Sequence, residues 1–258
     1  MRIASFNING HTSRLPVLLR WLQEAQPDVV CLQELKSEVR EETRERIAEA
    51  GYAATWYGQK RWNGVAVLSR IGEPVEVRRG LPRDPDPDQS RYLEVAVSGI
   101  LVAGFYAPNG NPWPGPKFDY KMGWLQEFRR HAKSLLRTPA PVVLIGDYNI
   151  IPTPHDVYKP ERWEKDALYA PQARKLYAAL IKDGWVDALD RQFDGNPPYT
   201  FWPYWRRSFE RDAGIRIDHA LLNELAITKM TDAGVDRRPR GWEGASDHTP
   251  VWIELDVG

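Results

Sequence analysis

The chain has one cysteine among its 258 residues, so no disulfide can form within it. Cys31 lies in the apolar run VVCLQ, where a buried free thiol is expected. The amino-terminal segment MRIASFNING lacks the continuous apolar stretch of a secretory signal. The apolar runs, such as VVLIG at Val142, are far shorter than the roughly 20 residues that span a membrane. These absences favour a cytoplasmic protein that does not associate with membranes.

The sequence also lacks an excess of charge of either sign. Its 35 basic residues balance its 35 acidic residues, and the formal net charge is zero. Proteins that bind nucleic acid through their whole surface are usually basic, so the neutral total argues against that mode of binding. A localised basic face or a bound divalent cation would still attract phosphate groups.

Helix and strand patterns alternate from the start of the chain, and the length suits one large hydrophobic core. We therefore predict a single domain over residues 1–258 with a mixed α/β fold. Apolar residues at helical spacing predict helices near residues 15–24, 39–49, 118–135 and 172–181. Short apolar runs predict strands at residues 3–7, 28–32, 53–57, 64–69, 92–97, 101–106, 142–145, 217–222 and 251–255. The proline-rich stretches 82–87 and 108–116 are predicted to be surface loops.

Polar residues recur where the predicted strands begin or end. Because packed strands present their ends along a common edge, residues that are far apart in the chain are expected to meet there. Each alone has an ordinary explanation: Glu34 as a cap or a surface ion pair, and Asp147 as a turn residue. Taken together, the residues predict one acidic metal site. The set comprises Asn7, Glu34, Tyr106, Asp147, Asn149, Asp218, Asp247 and His248.

Oxygen donors in this set predict a magnesium site. Asn7, Glu34 and Asp247 suit Mg²⁺, because this ion takes one or two carboxylates from a protein and keeps several waters. Mn²⁺ is an alternative occupant of the same site. A cation here would neutralise the charge that develops on a phosphodiester during hydrolysis.

The attacking water of such a hydrolysis needs a base, and the sequence offers two candidates. Asp147, with Asn149 two residues away, is one, and His248 is the other. If Asp218 holds His248 as a cation, the imidazolium would instead donate a hydrogen bond to a phosphate oxygen. The residues alone do not decide between these two assignments.

Seven segments, in order along the chain, resemble the exonuclease III family of DNA-repair nucleases within the wider endonuclease/exonuclease/phosphatase group. They are FNING at Phe6, LQE at Leu32, YAPNG at Tyr106, GDYNIIPT at Gly146, YTFW at Tyr199, RIDH at Arg216 and SDHTP at Ser246. The resemblance extends from one end of the chain to the other. It implies a four-layer α/β/β/α sandwich, in which helices flank two mixed, mainly antiparallel sheets and the site lies at one end of the sheets.

The same resemblance implies a role for each residue of the site. Glu34 and Asp247, with Asn7 nearby, would bind the metal, and Asp147 with Asn149 would orient the water. Tyr106, Asn109 and Arg91 would contact phosphate, and Asp218 would support His248.

In that family, the segment matching Tyr199 to Asp218 borders the DNA groove and the pocket for a flipped, base-free sugar. Phe201, Ile215 and Ile217 fall where apolar residues would line this pocket. Trp205 falls where a bulky side chain would wedge into the duplex. The alternative is an ordinary aromatic core cluster beside a solvated charged run. The arginines of this segment that would meet phosphates are Arg206, Arg207 and Arg211.

The resemblance implies a 3′–5′ exonuclease on duplex DNA that is also an endonuclease 5′ to abasic sites in base excision repair. The expected partner is double-stranded DNA with abasic sites or 3′ ends, bound by a monomer. Pro203 replaces an acidic residue that many relatives carry, so the balance between the two activities stays open. Two alternatives remain: a phosphoesterase of the same fold that acts on a phospholipid or an inositol phosphate, and a non-catalytic DNA-binding relative.

Overall fold

Two six-stranded β-sheets form the centre of the protein, whose residues 1–257 are described by a computed structural model. The strands are β1 (Arg2–Asn7), β2 (Val29–Gln33), β3 (Ala53–Tyr57), β4 (Val65–Ser69), β5 (Val75–Arg79), β6 (Tyr92–Val97), β7 (Ile100–Tyr106), β8 (Val142–Asp147), β9 (Val186–Asp187), β10 (Asp218–Leu222), β11 (Met230–Val235) and β12 (Val251–Leu255). Sheet A has the order β11-β12-β1-β2-β4-β3, and sheet B has the order β5-β6-β7-β8-β10-β9. The pairs β1–β2 and β7–β8 are parallel and the other pairs are antiparallel, so both sheets are mixed and mainly antiparallel, as predicted.

The helices lie on the outer faces of the two sheets or connect their strands. They are α1 (His11–Ala25), α2 (Glu41–Glu49), α3 (Pro116–Leu135), α4 (Pro171–Asp183), α5 (Ala188–Gln192) and α6 (Glu224–Ile227). Both α3 and α4 begin at a proline, slightly before the predicted start, because proline suits the first turn of a helix. No helix within residues 1–257 combines the length and the apolar character needed to cross a membrane.

Three apolar layers separate the sheets and helices, and they confirm the predicted four-layer sandwich. The central layer lies between the sheets and contains Val67 of sheet A and Val102 of sheet B. A second layer packs Trp21 of α1 against sheet A. A third packs Phe128 of α3 and Tyr177 of α4 against sheet B. The strands β2, β4 and β8 are buried on both faces, which explains why they read as continuous apolar runs rather than alternating ones.

The sequence VVCLQ of strand β2 contributes side chains to two of these apolar layers. Cys31 points into the central layer, and its neighbour Leu32 points toward α1, because successive side chains of a strand face opposite sides. The Cys31 thiol is buried, as expected, and burial raises its pKa. It packs against Gly104 of sheet B, where an added Cβ would lie 2.8 Å from the Cys31 sulfur. The glycine therefore allows the sheets to approach closely at this point.

Several short or exposed elements were not predicted. Strand β5 is exposed at every residue, so no buried face marks it in the sequence. Strand β11 contains an aspartate and a glycine, both of which are uncommon in strands. The strand β9 and the helices α5 and α6 are too short to show a periodic pattern.

Gly146 precedes Asp147 in β8, and an added Cβ would lie 2.2 Å from the carbonyl oxygen of Phe105 in β7. We predict that Gly146→Ala lowers the free energy of unfolding by about 3 kcal/mol or more, because backbone must move to relieve the overlap. Gly241→Ala is the matched control, since its Cβ would make only an ordinary contact at 3.7 Å. Urea unfolding of both variants checks this, and equal stabilities would contradict it.

Candidate active site

Three polar residues lie side by side at the ends of neighbouring strands of sheet B. The parallel register of β7 and β8 pairs Tyr106 with Asp147, and the antiparallel register of β8 and β10 pairs Asp147 with Asp218. Neighbouring strands are about 4.8 Å apart, so this register forces the two carboxylates into proximity. Both aspartates are almost completely buried.

Asn7 and Glu34 of sheet A lie next to these residues of sheet B. Strands β1 and β2 are parallel, so Asn7 at the end of β1 and Glu34 just after β2 leave the sheet at the same edge. The amide nitrogen of Asn7 donates to Glu34 Oε1 and to Asp147 Oδ2, at 3.0 Å in each case. Asn7 is fully buried and therefore joins the two sheets through the site.

His248 lies in the loop before β12 and is held by Asp218. Its Nδ1 is 2.9 Å from Asp218 Oδ2, which also accepts a hydrogen bond from the Thr200 hydroxyl at 2.6 Å. Its Nε2 faces Asp147 Oδ2 at 3.7 Å. Burial lowers the pKa of His248, but the charge and hydrogen bond of Asp218, together with Asp147, raise it well above its usual range. These carboxylates therefore favour the cationic form of the imidazole.

The carboxylates of the site feel opposing effects. Burial raises the pKa of Asp147, the Asp218 and Glu34 carboxylates raise it further, and His248 opposes the rise. Burial would also raise the pKa of Glu34, but an ion pair with Lys36 at 2.8 Å and the Asn7 amide bring it below its usual range. Asp147 is thus the carboxylate with the greater tendency to take up a proton.

The oxygen donors fit a divalent cation. Glu34, Asp147 and His248 each offer an atom within 4.8 Å of the others. A protonated imidazole has no free lone pair for a metal, so Glu34 and Asp147 are the donors of this group. Carboxylate oxygens suit a hard cation, and such an ion would offset the repulsion between them.

Asp247, which was predicted as a metal ligand, lies outside this group. Its Oδ1 accepts a hydrogen bond from the side-chain amide of Asn9 at 2.8 Å. The ammonium of Lys36 bonds to the amide oxygen of Asn9 and pairs with Glu34. Asn9 and Lys36 therefore link the two acidic residues. Sequence analysis missed them, although each lies two residues after a predicted site residue.

Asn149 is bound through each of its polar groups. Its backbone N–H donates to Asp147 Oδ1 at 2.8 Å, and its side-chain nitrogen donates to the Ala107 carbonyl at 2.9 Å. Asn109 donates to its side-chain oxygen at 3.1 Å. The amide group of an asparagine has two N–H donors and two lone pairs, so one donor and one acceptor of Asn149 remain for a ligand.

A cavity of about 630 Å³ opens beside Glu34 and Tyr106. The Arg91 guanidinium is mostly buried, lies over the Tyr106 ring at 5.1 Å and donates to the Tyr106 carbonyl at 3.1 Å. Burial, followed by the Glu34 and Asp147 charges, raises the pKa of Tyr106 well above its usual range, so its hydroxyl stays neutral. The wall also includes Lys117 and Trp62, which were not predicted. The sequence does not indicate that Trp62 is exposed, because its 74% exposure depends on the fold.

The predicted substrate segment is divided between surface and core. Trp205 is 66% exposed and therefore does not belong to a core cluster. Phe201 is partly exposed and its ring lies 4.9 Å from that of His248. Ile215 and Ile217 are only 1% and 2% exposed, within an apolar cluster that also contains Leu168. Trp205 thus faces solvent, whereas Phe201 contacts both the His248 ring and the apolar cluster that contains the two isoleucines.

The chain is similar over almost its whole length to several known proteins. Residues 4–248 match the endonuclease/exonuclease/phosphatase family. Exodeoxyribonuclease III of Haemophilus influenzae is 30% identical over 267 residues, covering 99% of this chain and 100% of the relative. An AP (abasic-site) endonuclease structure from Archaeoglobus fulgidus has a TM-score of 0.93 and 32% identity, covering 99% of each chain. The 3′ phosphatase NExo from Neisseria, bound to a product DNA hairpin, also has a TM-score of 0.93, with 33% identity and 99% coverage of both chains.

We predict that His248 of the metal-free protein titrates well above the ordinary histidine value of about 6.5. A raised pKa means that the charged form persists below the folded-state pKa and is lost as the pH rises through it. Asp218→Asn removes the main group that raises this pKa, so the midpoint should move to lower pH. Ring ¹⁵N chemical shifts followed by NMR measure both midpoints. A midpoint that is unchanged by the substitution would show that Asp218 does not hold the charge.

Proposed function

The chain belongs to the endonuclease/exonuclease/phosphatase family, and we propose that it acts on duplex DNA as a nuclease of the exonuclease III type. Its similarity over the whole length to exodeoxyribonuclease III and to an AP endonuclease supports cleavage of phosphodiesters at 3′ ends and on the 5′ side of abasic sites. One observation carries the proposal: Glu34, Asp147 and His248, which are far apart in the chain, meet beside an open cavity.

We propose Mg²⁺ as the resident cation, with Mn²⁺ as a substitute. The Glu34 and Asp147 oxygens would hold it, and Asn7 would orient both carboxylates through the hydrogen bonds it donates. Asp247 would contribute from the other side of Asn9. When bound, such a cation supplies charge neutralisation for the phosphate and for the leaving alkoxide.

We assign the base to Asp147 and a hydrogen-bond donor role to His248. The elevated pKa of His248 supports this choice, because an imidazolium has no free lone pair to accept a proton. Asp147 is the buried carboxylate that faces His248 Nε2 at 3.7 Å, and a carboxylate in this position can take a proton from a water. The free N–H of Asn149 would orient that water or a phosphate oxygen.

Of the remaining predicted residues, Ile215 and Ile217 are buried, and the others named below fit contacts with DNA. The neutral Tyr106 hydroxyl and the Asn109 amide lie on the cavity wall, where each would donate to a phosphate oxygen. Arg91 would hold Tyr106 in place through its contacts with the Tyr106 ring and carbonyl, and it would add positive potential. Trp205 would wedge into the duplex at an abasic site, with Phe201 against the exposed sugar.

The test of this function is a labelled duplex with a single abasic site, incubated with purified protein and Mg²⁺. We expect a nick on the 5′ side of the abasic site and a ladder of products shortened from the 3′ end. EDTA should stop both reactions, and excess Mg²⁺ should restore them. Parallel reactions contain a phospholipid or an inositol phosphate. Turnover of either compound without DNA cleavage would reject the proposal, and tight DNA binding without cleavage would indicate a non-catalytic relative.

We also predict that Asp147→Asn and His248→Ala each lower kcat by roughly 100-fold or more, because each removes a group that acts on the reacting atoms. The affinity for duplex DNA, measured by electrophoretic mobility shift, should change little. His155→Ala is the control, since His155 is exposed and outside the site. Full activity in either site variant would exclude the assigned roles.

A further inference from the structure

Lys121 is a fully buried lysine in the second turn of α3. Lysine is almost never completely buried unless its charge has partners. Its Nζ donates to three backbone carbonyl oxygens, those of Asn149 at 2.6 Å, Asn109 at 3.0 Å and Ala167 at 3.1 Å. An ammonium group has three N–H donors, so all of them are used within the protein. Lys121 therefore does not contact substrate.

The three carbonyls belong to three separate segments. Asn109 lies between β7 and α3, Asn149 follows β8, and Ala167 precedes α4. Lys121 thus ties α3 to both loops that carry the asparagines of the site. The side chains of these two asparagines are also joined to each other, since Asn109 donates to Asn149 at 3.1 Å.

The loop after β7 closes directly on the Lys121 side chain. Gly110 has a φ of +88°, and an added Cβ there would lie 2.6 Å from Lys121 Cδ. Asn149 also has a positive φ of 50°, a conformation that asparagine adopts more readily than most non-glycine residues. The hydrogen bond from Lys121 to the Asn149 carbonyl is one of the contacts that hold it.

Packing alone does not explain a charged residue at this position. A buried cation loses its hydration, and neutral carbonyls replace that hydration only in part. Burial lowers the pKa of Lys121 to about 7, although the Asp166 and Asp147 charges oppose the fall. An apolar side chain of similar length would fill the same space without this loss of hydration.

We propose that Lys121 is a positioning residue for DNA hydrolysis, which fixes the backbones of Asn109 and Asn149 so that their amides meet the phosphate and the water in one geometry. This inference rests on the proposed function, because it concerns the site of that reaction. A displacement of about 1 Å in an active site can lower a rate by roughly 100-fold. Misplaced amides weaken interactions of the transition state more than binding of DNA, so the effect falls on kcat rather than on KM.

The primary test compares Lys121→Met, which keeps an unbranched side chain one atom shorter and removes the donors, with Lys133→Met on the same helix. Lys133 is exposed and pairs with Asp183 at 3.7 Å, away from the site. We expect Lys121→Met to lower kcat by about 10- to 100-fold with KM changed less than about threefold. Lys133→Met should leave both constants unchanged. Lys121→Gln keeps two N–H donors and should give an intermediate kcat, which also covers the case that the methionine variant fails to fold.

A double-mutant cycle separates positioning from general support of the fold. If Lys121 acts in part through Asn149, then Lys121→Met should lower kcat by a smaller factor in the Asn149→Ala background than in the wild type. Full additivity of the two substitutions, or a change in KM alone, would overturn the proposal.

A second readout does not depend on activity. The side-chain amide NMR signals of Asn109 and Asn149 should shift or broaden in Lys121→Met and not in Lys133→Met. Unchanged signals would overturn the positioning role even if the wild-type protein proved inactive on DNA. Inactivity of the wild type would by itself overturn only the proposed function, so the two failures are distinguishable.

Discussion

Mutual repulsion among buried carboxylates is the constraint on which the site depends. Glu34 and Asp147 lie close together where the two sheets meet, and the strand register places Asp218 beside Asp147. In a protein interior, like charges repel far more strongly than in water. The N–H groups of Asn7 and the imidazolium of His248 offset this repulsion in part. The negative charge that remains makes the site suitable for a divalent cation and, through it, for a phosphodiester.

The backbone holds these groups together against their repulsion. Strand register aligns Asp147 with its neighbours in sheet B, and the central apolar layer keeps the sheets in a fixed relation. Glu34 and Asn149, which follow β2 and β8, both have left-handed backbone conformations that turn the chain at the strand end. Such conformations persist only when surrounding contacts determine them. For Asn149, these contacts include the carbonyl bond from Lys121.

The surroundings of the site explain how a chain with zero net charge can bind a polyanionic substrate. Exposed Trp62 lines the cavity beside Glu34, and exposed Trp205 lines a second cavity. Arg206 and Arg211 lie with Trp205 around a cavity of about 250 Å³, and neither forms a salt bridge with any residue of the described chain. Other arginines are neutralised by acidic partners, as in the Arg129–Asp183 salt bridge. Local charge, rather than net charge, therefore governs contact with phosphate.

The sequence by itself determined the parts that depend on local pattern. Apolar periodicity located the long helices and most strands, and polar residues at strand ends, such as Asn7 and Asp147, identified the members of the site. Only the tertiary structure decided their partners. In the tertiary structure, Asp247 accepts a hydrogen bond from Asn9, and Ile215 is buried. The Lys121 ammonium donates to the backbone carbonyls of Asn109 and Asn149. Periodicity reports which way a side chain faces on its own element, whereas a hydrogen bond depends on a distance to a segment remote in the chain.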